Sequence, residues 1–298
     1  MDLHFYPLDF DYKIKDGKIL VYLYGRSDNG QKICVIHPHQ PFFYANIENI
    51  DTNAFAEKLK NLKVEAPDGP AYATSWEEVE KELIGKKKKI WKIYTNYPKA
   101  VPLISKELQA AGIECYEKDI LFIHRYLRDM GITPMTLVKA TGSYGKEESL
   151  RIPAFFAEKV EQESKEVIQK LRILAIDIET YAERKEINPA KNPILMIGFY
   201  GIDEQGIEFR KVITWRRFEH KLDYLETVSD EVDLLNRCKD IIINYDPDII
   251  TGYFSDGFDF PYIKARAQKY NVPFDIGMDK SELMVGSRMR DGECKIKG

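Results

Sequence analysis

The sequence lacks an apolar run long enough to cross a membrane as a helix. About 18 consecutive apolar residues are needed to span a bilayer, and no stretch approaches that length. We also expect no secretory leader, because the first residues given contain no basic region followed by an apolar segment. We therefore expect a cytoplasmic protein with no membrane partner.

Cysteine is scarce, and its spacing excludes the usual cysteine-based sites. The four cysteines are Cys34, Cys115, Cys238 and Cys294. No two of them have the short spacing of a zinc site or of a redox Cys-x-x-Cys motif. Internal repeats and low-complexity segments are absent as well. The sequence predicts reduced, mostly buried thiols.

An excess of basic charge is also missing, since the 298 residues carry a formal net charge of -4. This does not exclude nucleic-acid binding, because a local basic groove can coexist with an acidic total. The one dense basic patch is Lys86–Lys89, which is more typical of a solvated turn than of a phosphate clamp. The composition, 44% hydrophobic and 31% charged, is that of an ordinary globular protein.

Residues 1–138 predict an α+β domain in which short strands alternate with short helices. Turns are indicated by Asp16-Gly17 and Asp28-Asn29-Gly30. The predicted strands are 18–24, 32–36, 41–47 and 89–94. The predicted helices are 54–62, 75–85 and 98–111, the second from the capping-box pattern Ser75-Trp76-Glu77-Glu78 and the following Gly85.

Residues 139–166 are predicted to be an exposed linker, because 142–149 are polar and contain glycine. Residues 167–298 predict a second domain of the α/β class. Its first strand, 171–178, is nearly continuously apolar, as in a strand buried on both faces. The other predicted strands are 194–200, 209–215 and 248–253, and the predicted helices are 230–245 and 259–270.

The first strand of this domain ends in Asp177-Ile178-Glu179. Residues two apart point to one face of a strand, so the two carboxylates would repel each other there. A divalent cation would remove that repulsion, and oxygen ligands suit Mg²⁺ or Mn²⁺. The alternative is a strand end where two acids emerge into solvent.

A second candidate element follows the strand 248–253. Asp259 stands at a helix N-terminus beyond a glycine-containing loop, where it could cap the helix or supply a third carboxylate. Tyr253 and Phe258 beside it could pack against an unstacked base or belong to the core.

These residues resemble a known family. Asp177-Ile178-Glu179 and Tyr253 through Asp259 are similar to the first two exonuclease motifs of archaeal-type family B DNA polymerases. Segments 91–94, 97–102 and 119–127 resemble the N-terminal domain of the same enzymes. The resemblance implies an RNase H-like exonuclease domain, a mixed sheet flanked by helices, in which Asp177 bridges two metal ions. Glu179 and Asp259 would each hold one ion, and Glu179 would orient the attacking water. Two such ions would stabilise the attacking and leaving oxygens.

The chain departs from the family in two ways. An asparagine that contacts the 3′-terminal strand usually follows the tyrosine of the second motif, and here the residue is Phe254. The third exonuclease motif and the polymerase domains are not contained in these residues, so the exonuclease domain is expected to be truncated at its C-terminus.

The resemblance also implies a pocket that captures uracil in the template strand. The residues in matching positions are Tyr12, Pro41, Phe42, Pro98, Val101, Ile120, Phe122 and Arg125. Val101 and Phe122 could equally be core residues. Ser105 replaces a basic position that often accompanies the pocket, and Arg125 is a candidate phosphate contact.

The leading hypothesis is the N-terminal and exonuclease portion of a family B DNA polymerase, either as a fragment or as one subunit of a split enzyme. It implies DNA as partner, both single-stranded template and 3′ primer end, with the remaining polymerase domains and a sliding clamp. The alternative is a non-catalytic DNA-binding module that senses deaminated bases. A third hypothesis is a standalone RNase H-like nuclease with another substrate.

Overall fold

The computed structural model describes residues 1–83, 85–182, 187–286 and 294–297. The helices are α1 (Thr52–Asn61), α2 (Ala100–Ala110), α3 (Phe122–Met130), α4 (Glu231–Tyr245) and α5 (Asp259–Lys269). The strands are β1 (Asp2–Lys15), β2 (Lys18–Ser27), β3 (Lys32–Pro38), β4 (Phe42–Asn46), β5 (Lys63–Val64), β6 (Ala71–Leu83), β7 (Lys86–Thr95), β8 (Cys115–Tyr116), β9 (Thr136–Gly145), β10 (Ala154–Val167), β11 (Ile173–Thr180), β12 (Ile194–Ile202), β13 (Glu208–Thr214), β14 (Leu225–Thr227), β15 (Ile249–Thr251), β16 (Met284–Val285) and β17 (Cys294–Lys295). Within these ranges no helix has the length and apolar character needed to cross a membrane.

The first strands form a closed barrel in the order β1-β2-β3-β10-β9. Its interior is filled by apolar side chains of all five strands and of α3. The turn between β1 and β2 has positive φ at Asp16 (50°) and Gly17 (71°). Two positive φ angles are typical of a tight hairpin turn, and the turn predicted at this dipeptide is confirmed.

The barrel includes the segment that the sequence analysis assigned to a linker. Residues 136–145 and 154–167 form β9 and β10, which pair with each other, with β1 and with β3. The prediction of an exposed linker is therefore wrong. Gly142 is needed for close packing, not for flexibility, because an ideal Cβ there would lie 2.0 Å from the carbonyl oxygen of Phe156.

A second sheet, in the order β5-β6-β7-β4-β8, packs against α1 and α2. The helix predicted for 75–85 is wrong, because residues 75–83 belong to β6 and Gly85 lies in a turn before β7. Cross-strand ion pairs, among them Glu80–Lys87 and Glu78–Lys89 at 3.0 Å, connect the exposed faces of the two strands. The capping-box pattern is short, and pairing with β7 overrides it.

The third sheet has the order β14-β13-β12-β11-β15 and is mixed. The β11–β15 and β13–β14 pairs are parallel, and the other pairs are antiparallel. Helices α4 and α5 pack on one face and share a single apolar core with the strands. Asp230 caps α4 by accepting the backbone N–H of Asp233 at 2.9 Å.

Ion pairs join the barrel to the third sheet. The most buried is Arg26–Asp248, whose atoms lie 2.7 Å apart and whose side chains are 8% and 0% exposed. Other pairs across this junction include Lys32–Asp246, Lys13–Asp279 and Arg151–Asp275, in which the barrel side supplies the cation. In Lys297–Asp11, at 2.6 Å, the barrel side supplies the anion instead. Complementary charge on the two sides therefore helps to set how the third sheet is oriented against the barrel.

The cysteines are reduced in the described residues. Cys34, Cys115 and Cys238 are buried, and Cys294 is partly exposed. The prediction of mostly buried thiols is confirmed.

Candidate active site and apolar pocket

Strand β11 alternates between the core and an open face. Leu174, Ile176 and Ile178 are buried, whereas Asp177 and Glu179 are exposed. The prediction of a strand buried on both faces is wrong, because among the described residues α4 and α5 cover only one face. The two-residue spacing does place both carboxylates on the same face.

The carboxylates of Asp177 and Glu179 face open space. In the described part of the chain neither forms an ion pair or a side-chain hydrogen bond. Gly198 on β12 is paired with Asp177, and an ideal Cβ at Gly198 would meet nothing within 4 Å. Sequence reasoning missed Gly198, since only the strand register shows that it lies beside Asp177.

Asp259 reaches the same strand from α5. Its carboxylate accepts the backbone N–H of Ile178 at 3.0 Å, and the residue is only 2% exposed. Phe258 occupies the N-cap position, so the capping role considered for Asp259 is wrong. We call Asp177, Glu179 and Asp259 the carboxylate site.

Burial raises the pKa of Asp259, and the negative charge of Asp177 raises it further. The hydrogen bond from Ile178 opposes this shift only in part. A raised pKa means that the surrounding protein compensates the carboxylate poorly, and a bound cation would relieve that cost.

The donor chemistry of the site fits a hard divalent cation such as Mg²⁺ or Mn²⁺, which prefers oxygen ligands. The structure places Asp177 close enough to Asp259 to shift its pKa. Within the described ranges, however, no group of three His, Cys, Asp or Glu side chains is arranged to hold a metal ion. The arrangement therefore supplies suitable donors without a complete three-ligand cluster.

The loop after β15 lies beside the carboxylate site. Thr251 pairs with Ala175, and an ideal Cβ at Gly252 would lie 2.6 Å from the carbonyl oxygen of Ile176. Only glycine allows this close approach. The next residue, Tyr253, lies beyond the end of β15 and is 94% exposed.

A buried ion pair supports the chain around the site. The Arg266 guanidinium donates to both carboxylate oxygens of Glu231, with an Nε to Oε1 distance of 2.7 Å. Glu231 also accepts the backbone N–H of Ile194 at 2.8 Å, and Arg266 donates to the carbonyl of Pro189 at 2.7 Å. Sequence reasoning missed this pair, because no local pattern connects the two positions.

A separate cavity of about 520 Å³ lies between the barrel and the second sheet, and we call it the apolar pocket. All eight of the uracil-pocket candidates line it: Tyr12, Pro41, Phe42, Pro98, Val101, Ile120, Phe122 and Arg125. Val101 and Phe122 also pack into neighbouring cores. These two residues are therefore core residues that also form part of the pocket wall.

Arg125 forms a wall of the pocket and is already paired. Its guanidinium donates to the carboxylate and to the carbonyl of Glu117, and it lies 4.6 Å from the ring centre of Phe42. The residue is 3% exposed. It does not present a free cation to a phosphate. Ser105 is likewise buried and donates to the carbonyl of Pro102.

Comparison with known proteins identifies the family. Residues 113–297 match the sequence model of the exonuclease domain of DNA polymerase family B. The chain belongs to DNA polymerase family B.

Relatives of this family B chain come from archaea. It is 32% identical over 295 residues to DNA polymerase 1 of Pyrococcus abyssi, covering 98% of this chain and 33% of that protein. It is 33% identical over 295 residues to the DNA polymerase of Desulfurococcus sp. (strain Tok), with the same coverage of 98% and 33%. The chain therefore spans about a third of the length of these relatives.

A solved structure shows the same fold. The family B DNA polymerase from the hyperthermophilic archaeon Pyrobaculum calidifontis superposes with a TM-score of 0.79 at 25% identity, covering 98% of this chain and 35% of that one. The resemblance to archaeal-type family B polymerases and the α/β and α+β fold class are thereby confirmed.

Phe254, where the family resemblance leads one to expect asparagine, has an unusual backbone. Its φ is +56°, in the left-handed region that asparagine tolerates and phenylalanine rarely adopts. The side chain is 71% exposed, and its ring lies over Gly257, where an ideal Cβ would be 2.3 Å from it. Phe258, by contrast, is half-buried against the core. Tyr253 and Phe254 are thus the aromatic residues of this loop that face solvent.

The lysine run of this family B chain is not a turn. Residues 86–89 begin β7, and three of the lysines pair with carboxylates 3.0 Å away. The pairs are Lys87–Glu80, Lys88–Glu48 and Lys89–Glu78. The predicted turn is wrong, and the positive charge of the run is largely compensated.

Proposed function

We propose that the carboxylate site performs metal-dependent 3′→5′ hydrolysis of DNA, as the exonuclease portion of a family B DNA polymerase. The observation that supports this most is the uncompensated negative charge. Asp177 and Glu179 point from the open sheet face without a cationic partner among the described residues, and the pKa of the buried Asp259 is raised. The burial of Asp259 and its repulsion by Asp177 carry a cost that a bound cation would relieve.

The three carboxylates would hold one or two Mg²⁺ or Mn²⁺ ions. A cation bound there would neutralise the charge of the scissile phosphate and of the leaving 3′ oxygen. Asp259 is positioned for this by its hydrogen bond from Ile178, and Glu179 lies on the open face, where a water could reach it. The RNase H-like topology implied by the family would place the reacting 3′ end of the DNA at the carboxylates on the open face of the third sheet.

The exposed aromatic residues would contact the DNA strand. Tyr253 and Phe254 face solvent in the loop that contacts β11 through Gly252, and Phe258 lies at the start of α5. Aromatic rings stack on unpaired bases with little sequence preference. We expect single-stranded or frayed 3′ ends to be better substrates than paired ends, because unpairing costs free energy.

The test is trimming of 5′-labelled single-stranded DNA in the presence of Mn²⁺. We expect shortening from the 3′ end that Asp177→Ala abolishes. Glu208→Gln is the matched control, because Glu208 lies on the same sheet face and is exposed but pairs with Arg210 at 2.6 Å. A chain that does not trim DNA, or that trims equally well after Asp177→Ala, would refute the proposal.

A second candidate function is recognition of uracil in the single-stranded template. It is favoured by the convergence of all eight candidate residues on the apolar pocket. A close-fitting apolar slot can admit uracil and exclude the methyl group of thymine, a discrimination of roughly 1–3 kcal/mol. Without nuclease activity, this function would make the chain a DNA-binding module that senses deaminated bases.

Competition between uracil-containing and thymine-containing oligonucleotides tests this second function. We expect roughly tenfold tighter binding of the uracil strand, and we expect Ile120→Trp to remove that preference by narrowing the pocket. Ile207→Trp is the control, since Ile207 is 64% exposed and lies away from the pocket. Equal binding of the two strands by the unmodified chain would exclude uracil recognition.

The remaining partners follow from the family. We propose that the other polymerase domains act with this portion either in the same chain or as a second subunit, and that a sliding clamp serves the whole assembly. DNA, as template and as 3′ primer end, is the ligand that both candidate functions share.

A further inference from the structure

The segment between β13 and β14, residues 215–224, combines basic and aromatic side chains, and we call it the basic loop. Its cationic residues are Arg216, Arg217 and Lys221, with His220 between them, and its aromatic residues are Trp215, Phe218 and Tyr224. Residues 216–224 are all exposed. Basic residues interleaved with aromatic ones are typical of surfaces that bind single-stranded nucleic acid.

The base of the loop is fixed. The indole N–H of Trp215 donates to the carbonyl of Ile194 at 2.7 Å, and the backbone N–H of Arg216 donates to the hydroxyl of Thr214 at 3.1 Å. On the returning side, the N–H of Val212 donates to the carbonyl of Tyr224 at 2.8 Å. The exposed side chains therefore project from an anchored stem.

The strand register places this loop at the edge of the sheet that carries the carboxylates. Glu179 is paired with Met196, and Met196 is paired with Thr214, the last residue of β13. Adjacent strands are about 4.8 Å apart, so the loop begins roughly 10 Å from Glu179 across two strand spacings. A single strand of DNA whose 3′ end lies at the carboxylates would pass the basic loop within a few nucleotides of that end.

The positive charge of the loop is not used within the described residues. Arg216, Arg217 and Lys221 form no ion pair there, and Arg216 lies 4.9 Å from the ring centre of its neighbour Trp215. The loop also contains Glu219 and Asp223, which lower its net charge but pair with none of these cations. By contrast, Lys211 on β13 and Arg237 on α4 both pair with Glu226 on β14.

We propose that the basic loop binds the backbone phosphates of single-stranded DNA upstream of the 3′ end held at the carboxylate site. This inference rests on the proposed exonuclease function for the position of the 3′ end. The charged side chains contact phosphates, and Phe218, 49% exposed, offers a ring on which an adjacent base can stack. Because phosphate contacts carry no sequence information, the contribution of the loop is independent of base identity.

The test measures binding of a long and of a short oligothymidylate by the full chain at several salt concentrations, with Ca²⁺ present to avoid hydrolysis. Replacing Arg216, Arg217 and Lys221 together by Gln should weaken binding of the long strand about tenfold and reduce its salt slope by about 2, since each phosphate contact on a single strand contributes about 0.7. The short strand, which cannot reach the loop, should lose little.

The matched control replaces Lys87, Lys88 and Lys89 by Gln, which removes the same number of positive charges from a run that is already paired. It should leave the affinity and the salt slope unchanged. Glu219→Gln should tighten binding of the long strand. These results would support the proposal that the basic loop binds DNA phosphates.

Unchanged affinity and salt slope in the triple loop variant would overturn the proposal. An equal loss of affinity in the triple loop variant and in the triple control variant would also overturn it. So would a loss of affinity for a blunt duplex as large as the loss for the long single strand. Trimming is measured separately. If the unmodified chain does not trim DNA but the loop variant loses affinity as described, the exonuclease proposal fails and the loop proposal stands.

Discussion

The carboxylate site on the third sheet and the apolar pocket beside the barrel place charged groups in contrasting surroundings. Asp177 and Glu179 have no cationic partner in the described residues, and the pKa of Asp259 is raised by burial and by Asp177. At the pocket, Arg125 is buried but paired with Glu117, whose pKa is lowered.

Under the two proposed functions, the carboxylate site takes a charged ligand, whereas the apolar pocket selects its ligand by shape. A buried carboxylate that lies near a second negative charge, as Asp259 lies near Asp177, lowers stability, and a cation from outside the protein would relieve that cost. Because the charge of Arg125 is already compensated by Glu117, we expect the apolar pocket to discriminate mainly by the shape of its walls. The following variants test that distinction.

The largest expected effect is at the pocket. Arg125→Met should lower the free energy of unfolding by about 3 kcal/mol, because it leaves Glu117 without its main partner. The measurement is urea denaturation. Arg128→Met on the same helix is the control, since Arg128 is 66% exposed and 4.0 Å from Glu117, and it should change stability by less than about 0.5 kcal/mol. Similar values for the two variants would mean that the buried pair does not stabilise the pocket wall.

Removing a charge from the carboxylate site should not lower the free energy of unfolding, in contrast to Arg125→Met. Without metal, Asp177→Asn should be at least as stable as the unmodified chain, because a repulsion is removed. Mn²⁺ at about 100 times its dissociation constant should stabilise the unmodified chain by about 2.7 kcal/mol and the variant far less. Thermal unfolding with and without Mn²⁺ measures both. Glu208→Gln should be stabilised by Mn²⁺ as much as the unmodified chain. If Glu208→Gln also lost this stabilisation, Mn²⁺ binding would not be specific to the carboxylate site.

Acid should weaken the pocket wall through Glu117. Burial raises the pKa of Glu117, but the hydrogen bond and charge of Arg125, together with Lys81, outweigh burial and lower it. An acid with a lowered folded-state pKa stabilises the protein above its unfolded value, here 4.5, and this stabilisation is lost as the pH falls further. The stability difference between the unmodified chain and Glu117→Gln should therefore be about 1 kcal/mol at neutral pH and shrink below pH 4.5. A difference independent of pH would contradict this assignment.

The smallest expected effect is at Phe254. Phe254→Asn should stabilise the chain by about 0.5 kcal/mol, because asparagine tolerates the left-handed backbone better. Asn271→Phe is the reciprocal control, since Asn271 is also left-handed, with φ of 54°, and lies outside the loop. It should destabilise by a similar amount in chemical denaturation. Destabilisation by Phe254→Asn would show that the ring over Gly257 contributes more than the backbone costs.

Sequence patterns predicted some elements well. They failed where pairing with a distant strand determined the secondary structure. The hairpin turn at Asp16-Gly17 and the helices α4 and α5 follow from local signals, namely turn residues and helical spacing. The prediction of a linker over 139–166 was wrong because glycine occurs both in flexible loops and where strands pack closely. Only the contact of Gly142 with Phe156 in the fold distinguishes the two cases. The helix over 75–85 was wrong because β7 lies beside this segment in the fold.

The sequence alone determined that Asp177 and Glu179 share a face, because side chains of a strand alternate with a period of two. It also determined the family to which the motifs point. The family resemblance implied that Asp259 joins Asp177 and Glu179. Only the tertiary structure decided that this face is left open by the described helices and how Asp259 reaches β11. That approach depends on the parallel pairing of β11 with β15 and on the packing of α5, and such contacts between residues about eighty positions apart leave no local pattern in the chain.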